Sequence, residues 1–275
     1  MTSSRFSQQA GRQTAALALA SVVALAWLAA PAAYAQINWE NFDGRFGALA
    51  PENLSAERPP APLDLTGTWM HRGQFRFMVG AEERLKPRAR ELFDRSQELA
   101  AQGIAFNNLP GQCWPIGQPL VMTRVWPVHI VQLPTAILMV SNFDNRVRWI
   151  YLDGREHTDP DLFAPAYQGE AIGRWEDETL VVETRNFGAK NHFLNDSIPL
   201  SEEFVMLERY SLSEDGETLE IEYTLTDPEN WEGDWTEIKT FVREHRVDHL
   251  ESPCVPDLNE GMPGTGGPYV EFDLD

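Results

Sequence analysis

Between Leu120 and Arg243 the chain passes repeatedly from a short run of β-branched, aliphatic and aromatic residues into a turn signal and out again. The runs are Leu120 to Arg124, Val128 to Leu133, Ile137 to Ser141, Arg146 to Leu152, Ala171 to Trp175, Thr179 to Thr184, Phe204 to Leu212, Thr218 to Thr226 and Thr236 to Arg243. Asp144-Asn145, Asp153-Gly154, Glu176-Asp177, Asp215-Gly216 and Asp227-Pro228 separate most neighbours. Such runs bounded by such turns read as strands. Most connections are too short to carry a crossover helix, so the strands pair antiparallel. An earlier strand opens at Leu65-Thr66-Gly67-Thr68-Trp69. The expectation is a mainly β fold: an antiparallel up-and-down barrel with nine or ten strands and no exposed edges. A β-sandwich is the alternative.

One segment breaks the β pattern. From Ala81 to Gln102, Leu85, Ala89, Leu92, Phe93, Leu99 and Ala100 recur at three- and four-residue steps among interleaved acids and bases. This predicts an amphipathic helix stopped by Gly103, with Pro87 near its start, where a missing N–H costs least.

The first 35 residues read as a secretory leader. Arg5 and Arg12 precede a small-residue apolar run from Ala15 to Ala30, and Ala33-Tyr34-Ala35 offers an A-x-A cleavage site before Gln36. The predicted organisation is a signal peptide (1–35), an extended arm (36–64), the barrel (65–254) and a flexible acidic tail (255–275). Removing the leader leaves 240 of the 275 residues and no membrane span, with a periplasmic or secreted location. Loss of its two arginines takes the net charge from −20 to −22. So negative a surface repels phosphate backbones, which excludes nucleic acid as a partner. In an oxidising compartment the two cysteines, Cys113 and Cys254, pair.

Several segments taken together resemble a family of secreted bacterial proteins of unassigned function. Ile172 to Thr184 is similar to its G-R-W-E-G-D-T-L-V-V-D-T pattern. Cys113 to Pro119 resembles C-x-P-x-G-x-P, Ile150 to His157 resembles I-Y-x-D-G-R-x-H, and Glu208-Arg209-Tyr210 resembles E-R-Y. The chain departs at Asp177-Glu178, where Gly-Asp is usual, and at Thr158, where Pro commonly follows the His. The resemblance implies a lipocalin-like barrel, and Gly67-x-Trp69 is similar to the opening of the first strand in many such barrels, where the Trp plugs the floor. It implies no mechanism.

Hydrolase, zinc-protease, P-loop and dinucleotide signatures are absent from the sequence, and no cofactor or metal is implied. His245 and His249 alone have short ligand-like spacing, in a stretch poorly suited to a helix. Candidate acid–base groups are His157 after the Asp153-Gly154 turn, Asp196 in the long polar loop with His192, and Glu208 in an apolar register. Either Glu208 or its neighbour Arg209 must face inward among apolar residues. Candidate ligand-binding residues are Arg124, His129, Arg148, Trp149, Tyr151 and Tyr210. Nine Trp and fourteen Phe are many for this length, and Trp126, Trp149 or Trp231 can line a pocket. The reading is an exported β-barrel that binds a small apolar or aromatic molecule. The alternative is a barrel enzyme (isomerase, lyase or hydrolase) using those acid–base groups.

Overall fold

The structure, a computed structural model, describes residues 43–106, 113–164, 166–188, 192–195, 197–255 and 269–270. The leader, the first seven residues of the expected arm (36–42), Asp196 and most of the acidic tail lie outside the described residues. The chain divides after Arg45, and everything below concerns the unit from Phe46 onward.

Nine strands close into a barrel: β1 (Gly67–Arg72), β2 (Val128–Gln132), β3 (Ala136–Ser141), β4 (Arg146–Tyr151), β5 (Glu170–Glu176), β6 (Thr179–Arg185), β7 (Val205–Leu212), β8 (Thr218–Thr226) and β9 (Trp235–Arg243). Each strand pairs with its sequence neighbours, and β1 closes the ring against β9. The turn dipeptides act as expected. Asp144 and Asn145 both take positive φ, as a tight hairpin of primed type requires. Asp177 adopts φ 51° in the β5–β6 turn, a conformation Asp tolerates where Gly is the commoner choice.

Three expectations need correction. The barrel is not antiparallel throughout, because β4 and β5 run parallel. A closed ring of nine members cannot alternate direction all the way round, so one pair must match. That pair is in register only at Ile150↔Ala171 and Tyr151↔Ile172, which makes it the sparsest seam in the wall. The run Leu120 to Arg124 is no strand. Leu120–Thr123 forms a 3₁₀ turn with all four side chains buried, and a short run that is apolar on every side carries no alternation to distinguish the two. The helix, α1, spans Pro87–Ala101. Glu82–Arg84 is a separate 3₁₀ turn, because Lys86 before Pro87 is held extended (φ −72°, ψ 162°) by the proline ring. α1 buries Ala89, Leu92 and Leu99 of the stripe read from the sequence, together with Ser96, while Phe93 is half-buried and Ala100 exposed.

Period-two alternation fills the barrel. Val128 and Ile130, Ile137 and Met139, Leu180 and Val182, Met206 and Tyr210, and Ile221 and Tyr223 are all buried. Trp69 lies at the floor, its Nε1 donating to Leu65 O at 3.0 Å. The Arg243 guanidinium lies 4.3 Å from the Trp69 ring centroid and donates to Thr66 O. At the opposite end the long excursion between β1 and β2, the loop after β6 and the turn after β8 supply Phe77, Met122, Phe187, Phe204 and Trp231 to the same core. The described residues contain no helix long and apolar enough to cross a membrane.

Candidate functional site

Chemistry-bearing side chains gather in three places: the barrel lumen, the outside of the β4–β5 seam, and the mouth. In the lumen, β4 turns Arg148 and Ile150 inward and Trp149 and Tyr151 outward. β7 turns Glu208 and Tyr210 inward, which leaves Arg209 outside, paired with Glu176 at 3.0 Å. Arg148 grips Glu208 with both terminal nitrogens, at 2.9 and 2.5 Å, and also donates to Thr184 Oγ1 at 2.8 Å. The Tyr210 hydroxyl donates to Glu208 Oε1 at 2.8 Å. Burial opposes the charge on Arg148, but the adjacent carboxylate outweighs it and raises the guanidinium above its usual range. Burial, then the Glu208 charge, pushes both Tyr210 and Tyr223 well up. Both Glu208 oxygens are thus occupied within the protein.

His157 lies outside the sheet. Its Nδ1 stands 3.1 Å from Glu170 and its Nε2 3.4 Å from Glu183. Glu170 also accepts from the Thr158 amide (2.8 Å), the Thr158 hydroxyl (2.7 Å) and Asn186 Nδ2 (3.0 Å). Burial alone would raise the Glu170 carboxyl, but the contacts with His157 and then Thr158 hold it below the usual range. This cluster fastens the start of β5 to the loops on either side of the seam. Glu208 inside and His157 outside are separated by the barrel wall, so the structure does not bring these two candidate acid–base groups together.

The candidate binding residues are likewise divided. Arg148 and Tyr210 are internal. His129 faces outward, since Val128 and Ile130 hold the inward register of β2. It contacts Thr68 Oγ1 at 2.9 Å and Asn142 Oδ1 at 3.0 Å. Trp149 stacks outside on Tyr151 (ring centroids 6.1 Å apart), which is covered in turn by Arg155, 3.4 Å from its centroid. Arg124 stands at the mouth.

The mouth holds a cavity of about 370 Å³. Phe75, Leu120, Val125, Trp126 and Phe143 line it, with Gln74, Arg76, Arg124 and Asn195 at its polar edge. Three of its apolar side chains are exposed: Phe75 by 41%, Trp126 by 45% and Val125 by 63%. Asn195, from the long loop, bridges Phe77 N and Phe77 O at 3.1 and 2.7 Å and fixes one wall.

Sequence reasoning missed a second inward polar group. On β1, His71 shares the inward face with Trp69. On β9, Lys239 shares it with Phe241. The signal was readable for His71, because a Trp that plugs the floor sends the residue two places on into the lumen. Burial, with a smaller contribution from the Lys239 charge, pushes His71 down to about 4. Burial also pushes His192 to about 4, against the opposing effect of its 2.8 Å contact with Gln118 O. In the unfolded chain each imidazole protonates near 6.5. The unfolded state therefore binds more protons below that pH, and stability falls as pH drops from about 6.5 to about 4. At pH 5 the loss is about 2 kcal/mol for each histidine. Urea midpoints at pH 7 and pH 5 measure it; replacing either histidine with Leu should remove about half of the difference.

Among the described residues no three His, Cys, Asp or Glu side chains converge closely enough to hold a metal ion. Compared with protein-family models and with curated proteins, the chain matches none at a significant level.

Proposed function

We propose that the protein is an exported binding protein whose barrel mouth takes up a small apolar or aromatic molecule. The observation that carries this reading is the clustering of Phe75, Val125 and Trp126. These three exposed large apolar side chains, drawn from the beginning and the end of the long excursion between β1 and β2, meet at one cavity. Scattered exposed apolar residues need no explanation, but a contiguous concave patch marks a binding site. The volume falls within the range usual for small-molecule sites. Export is supported by the leader-like layout of residues 1–35, by the resemblance to a secreted bacterial family, and by the Cys113–Cys254 bond, whose Cα atoms are 5.5 Å apart. The acid–base alternative has less support, because Glu208 is bound on both oxygens and lies across the wall from His157.

Titration with the neutral fluorescent probe N-phenyl-1-naphthylamine tests the reading. The wild-type chain should enhance its emission saturably. Trp126→Ala should weaken binding at least about tenfold, the loss expected when an aromatic contact of this size is removed. Trp149→Ala, on the outer wall, should leave it unchanged. Equal binding by wild type and Trp126→Ala, or none by wild type, would defeat the proposal.

A further inference from the structure

Beneath the mouth cavity lies a polar group with nothing to bond to. His71 is only 4% exposed, and neither of its ring nitrogens has a hydrogen-bond partner. Unmade bonds on a buried imidazole forfeit the solvation of both nitrogens, and in native structures such groups call for an explanation. One side of the His71 ring packs edge-on against Phe241, with centroids 5.3 Å apart. The other meets Phe75 at 5.5 Å. Phe75 also lines the cavity and is partly exposed, so its ring stands between the cavity and the imidazole.

The backbone around Phe75 is held. Lys239 Nζ donates to Gln74 O and Arg76 O, each at 2.8 Å, and Thr123 Oγ1 donates to Phe75 O at 2.7 Å. With the main chain held, the Phe75 side chain is the part that would have to turn for His71 to meet the cavity. We propose that His71 is the floor of the binding site, and that the ligand is a neutral hydroxyl-bearing aromatic (a phenol or aryl alcohol) whose hydroxyl reaches past Phe75 to an imidazole nitrogen. This deepens the proposal of a mouth site and rests on it.

A hydroxyl is favoured over a carboxylate by a count of donors. The Lys239 ammonium has three N–H groups. Two of them go to Gln74 O and Arg76 O, and the charge is paired with Glu237 Oε1 at 2.5 Å. Arg76 and Arg124 at the cavity edge are also engaged elsewhere. An anion entering here would meet no uncommitted cation, on a chain whose net charge is −20. A neutral imidazole offers one N–H and one lone pair, and a hydroxyl can answer either. With its pKa near 4, His71 is neutral at physiological pH.

The test compares two ligands that differ by one hydroxyl, 4-propylphenol and propylbenzene, as competitors of N-phenyl-1-naphthylamine on the full-length chain. On wild type the phenol should displace the probe at a concentration about tenfold lower, the gain from one neutral hydrogen bond made to an otherwise unpaired buried group. His71→Leu should bring that ratio close to one while leaving propylbenzene unaffected. Equal potency on wild type, or a ratio that survives His71→Leu, overturns the inference and leaves the mouth site standing. Failure of both compounds to compete with a bound probe overturns the mouth site as well. A second measurement does not depend on the folding of the variant. In the ¹⁵N side-chain spectrum of the six histidines, 4-propylphenol should shift one ring nitrogen that propylbenzene leaves in place. A spectrum indifferent to the phenol at saturation overturns the inference.

Discussion

Reducing the Cys113–Cys254 bond is expected to lower stability by roughly 4–5 kcal/mol, with the barrel still folded at neutral pH in the absence of denaturant. The two cysteines are 141 residues apart, so the bond removes a large closed loop from the freedom of the unfolded chain. It also completes a strap. After β9 the chain returns over the barrel, with Glu244 N donating to Thr68 O at 2.8 Å and His249 Nδ1 meeting Asn142 Oδ1 at 2.6 Å. Ser252 N then donates to Asn145 Oδ1 at 3.1 Å before Cys254 joins Cys113. Cys113 in turn precedes Ile116 and Leu120–Thr123, which fill the mouth. These strap contacts are few and lie near the surface, so most of the loss should arise in the unfolded state. Two readouts separate that origin from lost native contacts. The urea midpoint should fall on reduction and in the Cys113→Ser/Cys254→Ser chain. The m-value should rise, because an unlinked unfolded chain exposes more surface. Unchanged midpoints would show that the link constrains little.

The legibility of this chain follows its punctuation. Thr218–Thr226 is read to the residue because Asp215-Gly216 and Asp227-Pro228 bound it and its inward face alternates cleanly. Where both faces of a strand are apolar, parity is lost. Phe204, Met206 and Tyr210 compete with Val205 and Leu207, so the sequence leaves open whether Glu208 or Arg209 enters the lumen. The same ambiguity hides the outward facing of His129 between Val128 and Ile130 on one side and Val131 on the other. Leu120–Thr123 is lost for want of any alternation. The motif glycine at 117 shows a constraint that no local rule supplies. A Cβ there would stand 2.4 Å from Tyr167 O and 2.2 Å from the His192 imidazole, so the position needs Gly because of distant neighbours. The mouth cavity is harder still. Phe75 and Trp126 come from the two ends of one long connection, and Phe143 and Asn195 from two others, and only closure of the ring brings them together. His71 stands apart as a residue that was passed over although the alternation, two positions on from Trp69, was enough to place it.

The second large effect concerns the lumen. Glu208→Ala should destabilise the protein by about 4 kcal/mol, because it strands the Arg148 guanidinium in a site that excludes water. The double variant Arg148→Met/Glu208→Leu should recover most of that loss, since a buried ion pair replaced by apolar groups of similar volume is often neutral. The pair's position gives it a local role as well. β4 meets β5 over only two registered residue pairs. Arg148 reaches from β4 across β5 to Thr184 on β6 and Glu208 on β7, and so ties the wall together from inside at its sparsest point. Outside, His157, Thr158 and Asn186 converge on Glu170 at the same junction. Loss of the inner tie should therefore appear first as faster amide exchange in β4 and β5, with β8 and β9 protected to the global limit. The double variant should regain global stability but keep the fast exchange at the seam, because Met and Leu restore packing without restoring the bridge to Thr184. A double variant as unstable as Glu208→Ala, or exchange that quickens uniformly around the barrel, would show that the pair contributes only as one more part of the packed core.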